Sequence, residues 1–182
     1  GVDGGLQPDM PVMARMLSVP VTPDGEWAYS TVQTGGTVAT YKVALNGAEN
    51  CVPLLTGDRE VALQGVGGGH LIYLVTNFNH PIDLFCADAD GSNERQLTCI
   101  NDDWLNSVKL PTVEHLLFPG VDGTQVEGWI YLPPEGEAPY PTTLNIHGGP
   151  HGAFGHAFHF DSQMLCGAGY AVLMVNHRAS TG

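Results

Sequence analysis

The chain has 182 residues, with 19 acidic and 6 basic side chains, a formal net charge of −13, 43% hydrophobic residues and 14% charged ones. That composition is globular rather than disordered. The six cations, Arg15, Lys42, Arg59, Arg95, Lys109 and Arg178, are scattered, so no basic patch is available to neutralise phosphates, which argues against nucleic-acid binding. The uninterrupted apolar runs are as short as 171–175, so no membrane-spanning helix is legible.

From residue 20 to residue 105 the pattern is a series of short β-like runs (27–32, 37–45, 51–55, 70–76, 82–87 and 95–98) separated by turn signals, with no 3.6-residue period. An internal comparison adds a repeat. Gly25, Tyr29, Tyr41 and Gly47 recur 44 positions later as Gly69, Tyr73, Phe85 and Gly91, and Leu55-Thr56 recurs as Leu97-Thr98. A unit of strand, strand, turn (Asn46-Gly47, Asp90-Gly91) and strand at this period is what a β-propeller blade needs, because a small twisted sheet covers its faces only by stacking on neighbours. Residues 1–108 are therefore expected to be about two propeller blades.

The character changes near residue 109. Runs 113–118 and 125–132 flank Val121-Asp122-Gly123, a hairpin turn signal. Residues 142–146 then form an apolar strand, 157–166 a helix carrying Phe158, Met164 and Leu165, with Gly167 and Gly169 as its stop, and 171–175 a strand of the kind buried on both faces of a parallel sheet. Strand, glycine loop, helix and strand make one βαβ unit, so 109–182 is expected to be α/β.

Cys51, Cys86, Cys99 and Cys166 have no C-x-x-C spacing and sit among apolar residues, so they are expected to be buried free thiols. The first ten residues have neither a basic start nor an apolar stretch, and the chain opens with Gly. The expectation is a fragment or processed product, cytoplasmic in location.

The loop His147-Gly148-Gly149-Pro150-His151-Gly152 falls after a strand and before a helix, where open α/β sheets place ligands. Paired glycines let the backbone approach a ligand and leave amide N–H groups for negative charge. Pro150 has no N–H, so a donor in this turn is most simply Gly149 or Gly148. The plainer alternative is a tight turn that needs glycine for its dihedrals alone. His147, His151, His156 and His159 invite a metal reading, but His147 and His151 are separated by Gly-Gly-Pro and cannot share a helix face, and Asp161 is the only nearby acid. No metal and no cofactor are expected.

Three segments together, 145–152 (Asn-Ile-His-Gly-Gly-Pro-His-Gly), 169–173 (Gly-Tyr-Ala-Val-Leu) and 175–182 (Val-Asn-His-Arg-Ala-Ser-Thr-Gly), resemble the start of the catalytic domain of prolyl oligopeptidase family serine peptidases. The likeness is to the acylaminoacyl-peptidase and dipeptidyl-peptidase branch. Asp122-Gly123 with 126–130 resembles the strand pair that opens that domain, and Arg95-Gln96-Leu97-Thr98 resembles a blade end. The resemblance spans roughly 65–182. It implies a β-propeller fragment followed by the N-terminal part of an α/β-hydrolase domain, and cleavage of short peptides near their N-terminus by a Ser-Asp-His triad. By position, the N–H of Gly149 would be one oxyanion donor. His147 stands where some relatives carry a tyrosine that helps the oxyanion, so it is a candidate support. Ala179 stands where glycine is common.

The nucleophile elbow G-x-S-x-G does not occur in these residues. The chain order Ser, Asp, His in this fold then places the triad outside this sequence, and the 182 residues alone are expected to be inactive. The expected partner is a short peptide substrate, with a homo-oligomer of the whole protein open. The competing reading is a non-catalytic propeller-type module that binds a protein.

Overall fold

The computed structural model describes residues 20–22, 24–47, 50–149 and 152–181. By backbone proximity the described residues fall into two units. One holds those up to Ile100 together with 155–157, the other 101–154 and 158–181.

The first unit is a sheet of seven strands: β1 (Trp27–Thr34), β2 (Thr37–Ala44), β3 (Cys51–Leu55), β4 (Glu60–Gly67), β5 (His70–Asn77), β6 (His80–Asp88) and β7 (Arg95–Gln96). β1, β2 and β3 pair antiparallel, as do β4 to β7, and the two sets are joined as strands by the parallel pair Val38↔Glu60. The period-two pattern of β5 puts Leu71, Tyr73 and Val75 on one face, and these pack with Tyr29, Leu55, Val61 and Ala87 into the core. Burying each large apolar side chain contributes about 1.5–3 kcal/mol.

The 44-residue repeat has conformational content. Gly25 and Gly69 share a positive φ (73° and 80°), as do Gly47 and Gly91 (81° and 83°), and Tyr29 and Tyr73 are both buried. The pairing differs by one residue. Tyr73 faces Phe85, whereas Tyr29 faces Lys42 rather than Tyr41. The β5–β6 turn at 78–79 falls 43 rather than 44 positions after the β1–β2 turn at 35–36, which alone shifts the pairing by two, and the irregularity between Val75 and Asn77 restores one. The strand β4 was not expected, because Gly65, Gly67, Gly68 and Gly69 read as a loop. It pairs along β5 with a register shift between Leu63 and Gly65.

The second unit contains a short helix α1 (Asp102–Leu105) and a four-stranded sheet ordered β10-β11-β9-β8. β8 (Thr112–Pro119) and β9 (Gln125–Leu132) form the expected hairpin, with Gly123 at φ 81° and the N–H of Gly120 bonded to the carbonyl of Thr124 at 2.7 Å. β10 (Thr142–Asn145) runs parallel to β11 (Ala171–Asn176), which runs antiparallel to β9. Trp129, Tyr131, Val172 and Met174 are fully buried.

The helix α2 (Phe160–Gly167) starts three residues later than its sequence suggests. His159 is extended, at φ −90° and ψ 94°, and stands at the N-cap, so the helical turn begins after it and Phe158 lies outside it. The inward face is also not the expected apolar one. Ser162, Gln163 and Cys166 are buried while Phe160 and Met164 are exposed. Of the four thiols, all free, Cys86 and Cys166 are buried, but Cys51 and Cys99 are exposed. Burial pushes the Cys166 thiol up to about 11. Among the described residues no helix is long and apolar enough to cross a membrane.

Candidate functional site

β10 and β11 are parallel and in register from Thr142↔Ala171 to Asn145↔Met174. The described residues that follow them, 146–149 and 152–154 after β10 and 177–181 after β11, therefore leave the same carboxyl end of the sheet. They and the last residue of β11 are tied together by five contacts. The Asn176 side chain brackets the backbone of Phe154, accepting from its N–H at 2.7 Å and donating to its carbonyl at 3.0 Å. The N–H of Thr181 donates to the carbonyl of Gly152 at 3.1 Å. The His147 ring stacks on His177, with centroids 4.6 Å apart and planes 16° apart. Nε2 of His147 lies 2.7 Å from Oγ of Ser180.

The second ring nitrogen of His147 decides the tautomer. Nδ1 lies 2.8 Å from the carbonyl oxygen of Gly148, which can only accept, so Nδ1 carries a hydrogen. In the neutral ring Nε2 then holds the lone pair, and the Ser180 hydroxyl is the donor. Both ring nitrogens of His147 are thus engaged within the loop.

Gly148 and Gly149 are exposed, and neither has a positive φ. A Cβ at either would meet nothing within 4 Å among the described residues. Neither a left-handed φ nor packing against a described residue therefore demands glycine at these two positions. Among the described residues no acceptor meets the N–H of Gly149. Gly152 is different. A Cβ there would lie 2.6 Å from the carbonyl oxygen of Gly148 and 3.2 Å from Nδ1 of His147, so only glycine fits against that bond.

No family model matches the chain. Over 115 residues it is 39% identical to a protein named uncharacterized peptidase YuxL of Bacillus subtilis (strain 168), a stretch covering 62% of this chain and 17% of that one. It is 39% identical over 72 residues to an acylamino-acid-releasing enzyme of Sus scrofa, covering 40% and 10%. The fold matches the Pyrococcus horikoshii acylaminoacyl peptidase with a TM-score of 0.74 at 28% identity, over 86% of this chain and 24% of that one. An acylaminoacyl peptidase in complex with Z-Gly-Gly-Phe-chloromethyl ketone matches with a TM-score of 0.73 at 28% identity and the same coverage. These homologues and structural neighbours lie in the prolyl oligopeptidase family, which the chain resembles. Its homologues are peptidases of the acylaminoacyl-peptidase type, and it spans less than a fifth of the length of these curated relatives.

The turn after β11 carries local strain. The N–H of Ser180 closes on the carbonyl of His177 at 3.0 Å, and Ala179, third residue of that turn, has φ 72°, where glycine is favoured. Arg178 pairs with Asp122 and donates to Oγ1 of Thr124 at 2.9 Å. With His177 and Asn176 it lines a cleft of about 320 Å³ against the β8–β9 turn.

Of the residues singled out from sequence, His147 and Gly149 lie in one loop, and His151 falls outside the described residues. His159 meets the edge of Phe154, whose ring also meets His147, while His156 counts with the first unit. Ser180, Asn176, His177 and Gly152 were not singled out as site residues. Ser180 is 33 positions from His147, a separation at which no local spacing signals contact.

Proposed function

We propose that the chain is part of a serine peptidase, of acylaminoacyl- or dipeptidyl-peptidase type, that hydrolyses short peptides near their N-terminus by Ser-His-Asp acyl transfer. In this reading residues 1–108 are propeller blades and 109–182 open an α/β-hydrolase domain. The observation that carries it is the Gly148–Gly149 peptide at the carboxyl end of β10, with open space around both glycines and the Gly149 N–H unengaged among the described residues.

Attack on a peptide carbonyl turns its oxygen into an oxyanion, and a fixed N–H aimed at it lowers the barrier without reorganisation, by about 100- to 1,000-fold per donor. Gly149 supplies that N–H. His147 supports the oxyanion through the loop, because its ring nitrogens are engaged by Gly148 and Ser180. The nucleophile, base and orienting acid come from outside these 182 residues, which hold no G-x-S-x-G. The relative's complex with a peptide chloromethyl ketone supports a peptide as the substrate class.

Fluorophosphonate labelling tests the reading. The whole natural protein that carries this sequence should be labelled and should release an N-acetylated residue from a short peptide, and the 182-residue chain should not be labelled. A labelled 182-residue chain would overturn the assignment of the triad. An unlabelled whole protein would overturn the peptidase reading in favour of a propeller-type binding module.

A further inference from the structure

We propose that Ser180 is a positioning residue that aims the N–H of Gly149, an inference that rests on the peptidase reading of the loop. The carbonyl of Gly148 and the N–H of Gly149 belong to one peptide plane, which is trans, so they point to opposite sides of it. Whatever holds the carbonyl therefore directs the N–H. Three contacts converge on that carbonyl or on the ring that holds it. Nδ1–H of His147 donates to the oxygen at 2.8 Å. The Ser180 hydroxyl engages the far nitrogen of the same ring at 2.7 Å. The Cα of Gly152 packs close enough that a Cβ would collide with the oxygen.

Ser180 is itself held by the turn its N–H closes on His177 and by the adjoining bond from Thr181 to Gly152. Its hydroxyl donates to Nε2 and so holds the ring in the orientation in which Nδ1–H meets the Gly148 oxygen. Without it, the far edge of the ring is untethered and the ring is free to turn. A turned ring takes Nδ1–H away from the Gly148 oxygen, which loses its donor. The peptide would rotate and carry the Gly149 N–H off its aim. A misplacement of about 1 Å in a positioning group is enough to cost about 100-fold in rate.

The test uses the whole natural protein, labelled with ¹⁵N at histidine. Long-range ¹H–¹⁵N spectra should show His147 with its hydrogen on Nδ1 and with Nε2 accepting a hydrogen bond, and S180A should shift the Nε2 resonance to that of an acceptor without its donor. In the same variant, kcat on an N-acylated peptide should fall roughly 10- to 100-fold with KM little changed, and S180T, which keeps the hydroxyl, should restore both. A wild-type His147 with its hydrogen on Nε2 overturns the proposal, and so does an S180A protein with unchanged Nε2 resonance and kcat. Fluorophosphonate attached to Ser180 would overturn it in favour of a nucleophilic role. If the wild-type protein hydrolyses no peptide, the peptidase reading fails, while the Nε2 shift still reports whether Ser180 holds the ring.

Discussion

Asn176 at the end of β11 binds both backbone groups of Phe154, with Oδ1 accepting the N–H at 2.7 Å and Nδ2 donating to the carbonyl at 3.0 Å. One side chain thereby replaces a strand partner for a residue in the loop, and it anchors that loop two residues after Gly152.

Replacing Asn176 by Leu leaves the two polar groups of a largely buried residue without partners, at a cost of about 1–3 kcal/mol. Urea unfolding should show a lower midpoint at unchanged slope. N176D should be less stable than wild type at neutral pH, since a carboxylate faces the Phe154 carbonyl, and should recover on acidification. A difference between N176D and wild type that does not vary with pH would count against the bracket.

Two alanine substitutions in one loop should behave oppositely. G152A must push aside a backbone oxygen 2.6 Å from the new Cβ, which costs roughly 1–3 kcal/mol. At Gly149 the Cβ meets nothing among the described residues, so G149A should stay within about 0.5 kcal/mol of wild type, as surface substitutions do. Equal stability of the two variants would show that Gly152 does not pack against the Gly148 carbonyl.

Ala179 holds a positive φ without being glycine. A179G relieves a left-handed conformation that costs an alanine roughly 1 kcal/mol, partly offset by the greater freedom of glycine when unfolded. The expected result is a gain of roughly 0.5 kcal/mol in denaturant unfolding, and a loss would mean that the turn is not strained.

Glu94 links three parts of the first unit. It takes two bonds from Arg59, both at 2.8 Å, and one from the Tyr73 hydroxyl at 2.7 Å. The Arg59 guanidinium, then the Tyr73 hydroxyl, hold its carboxyl below the usual carboxylate range, against the opposing effect of burial. A carboxyl depressed in the folded state contributes stability above its unfolded value, about 4.3, and loses it as pH falls through the folded value. E94Q should therefore cost roughly 1–2 kcal/mol at pH 7, with the difference from wild type shrinking below about pH 4. Glu60, raised by burial, titrates in the opposite sense, and the comparison of wild type with E94Q cancels it. A difference that persists unchanged at pH 3 would contradict the assignment.

Much of the strand order was legible because it rests on local signals. Period-two runs mark β1, β5 and β9, glycines of positive φ close the turns at 47, 91 and 123, and the 44-residue repeat was visible through four residues. The strand β4 was hidden by glycines that a bulged strand tolerates. The start of α2 was misplaced because His159 holds an extended backbone at the N-cap, which no helix propensity encodes.

The residues by themselves determined the family resemblance, the loop that bears Gly149, and the absence of a nucleophile elbow, since each is a matter of residue type at fixed spacing. The tertiary structure alone decided what holds that loop. The tautomer of His147, the glycine at 152 and the hydroxyl of Ser180 act on a single carbonyl through contacts between segments up to 33 residues apart. Such contacts exist only once β10 and β11 lie parallel and bring their carboxyl ends together.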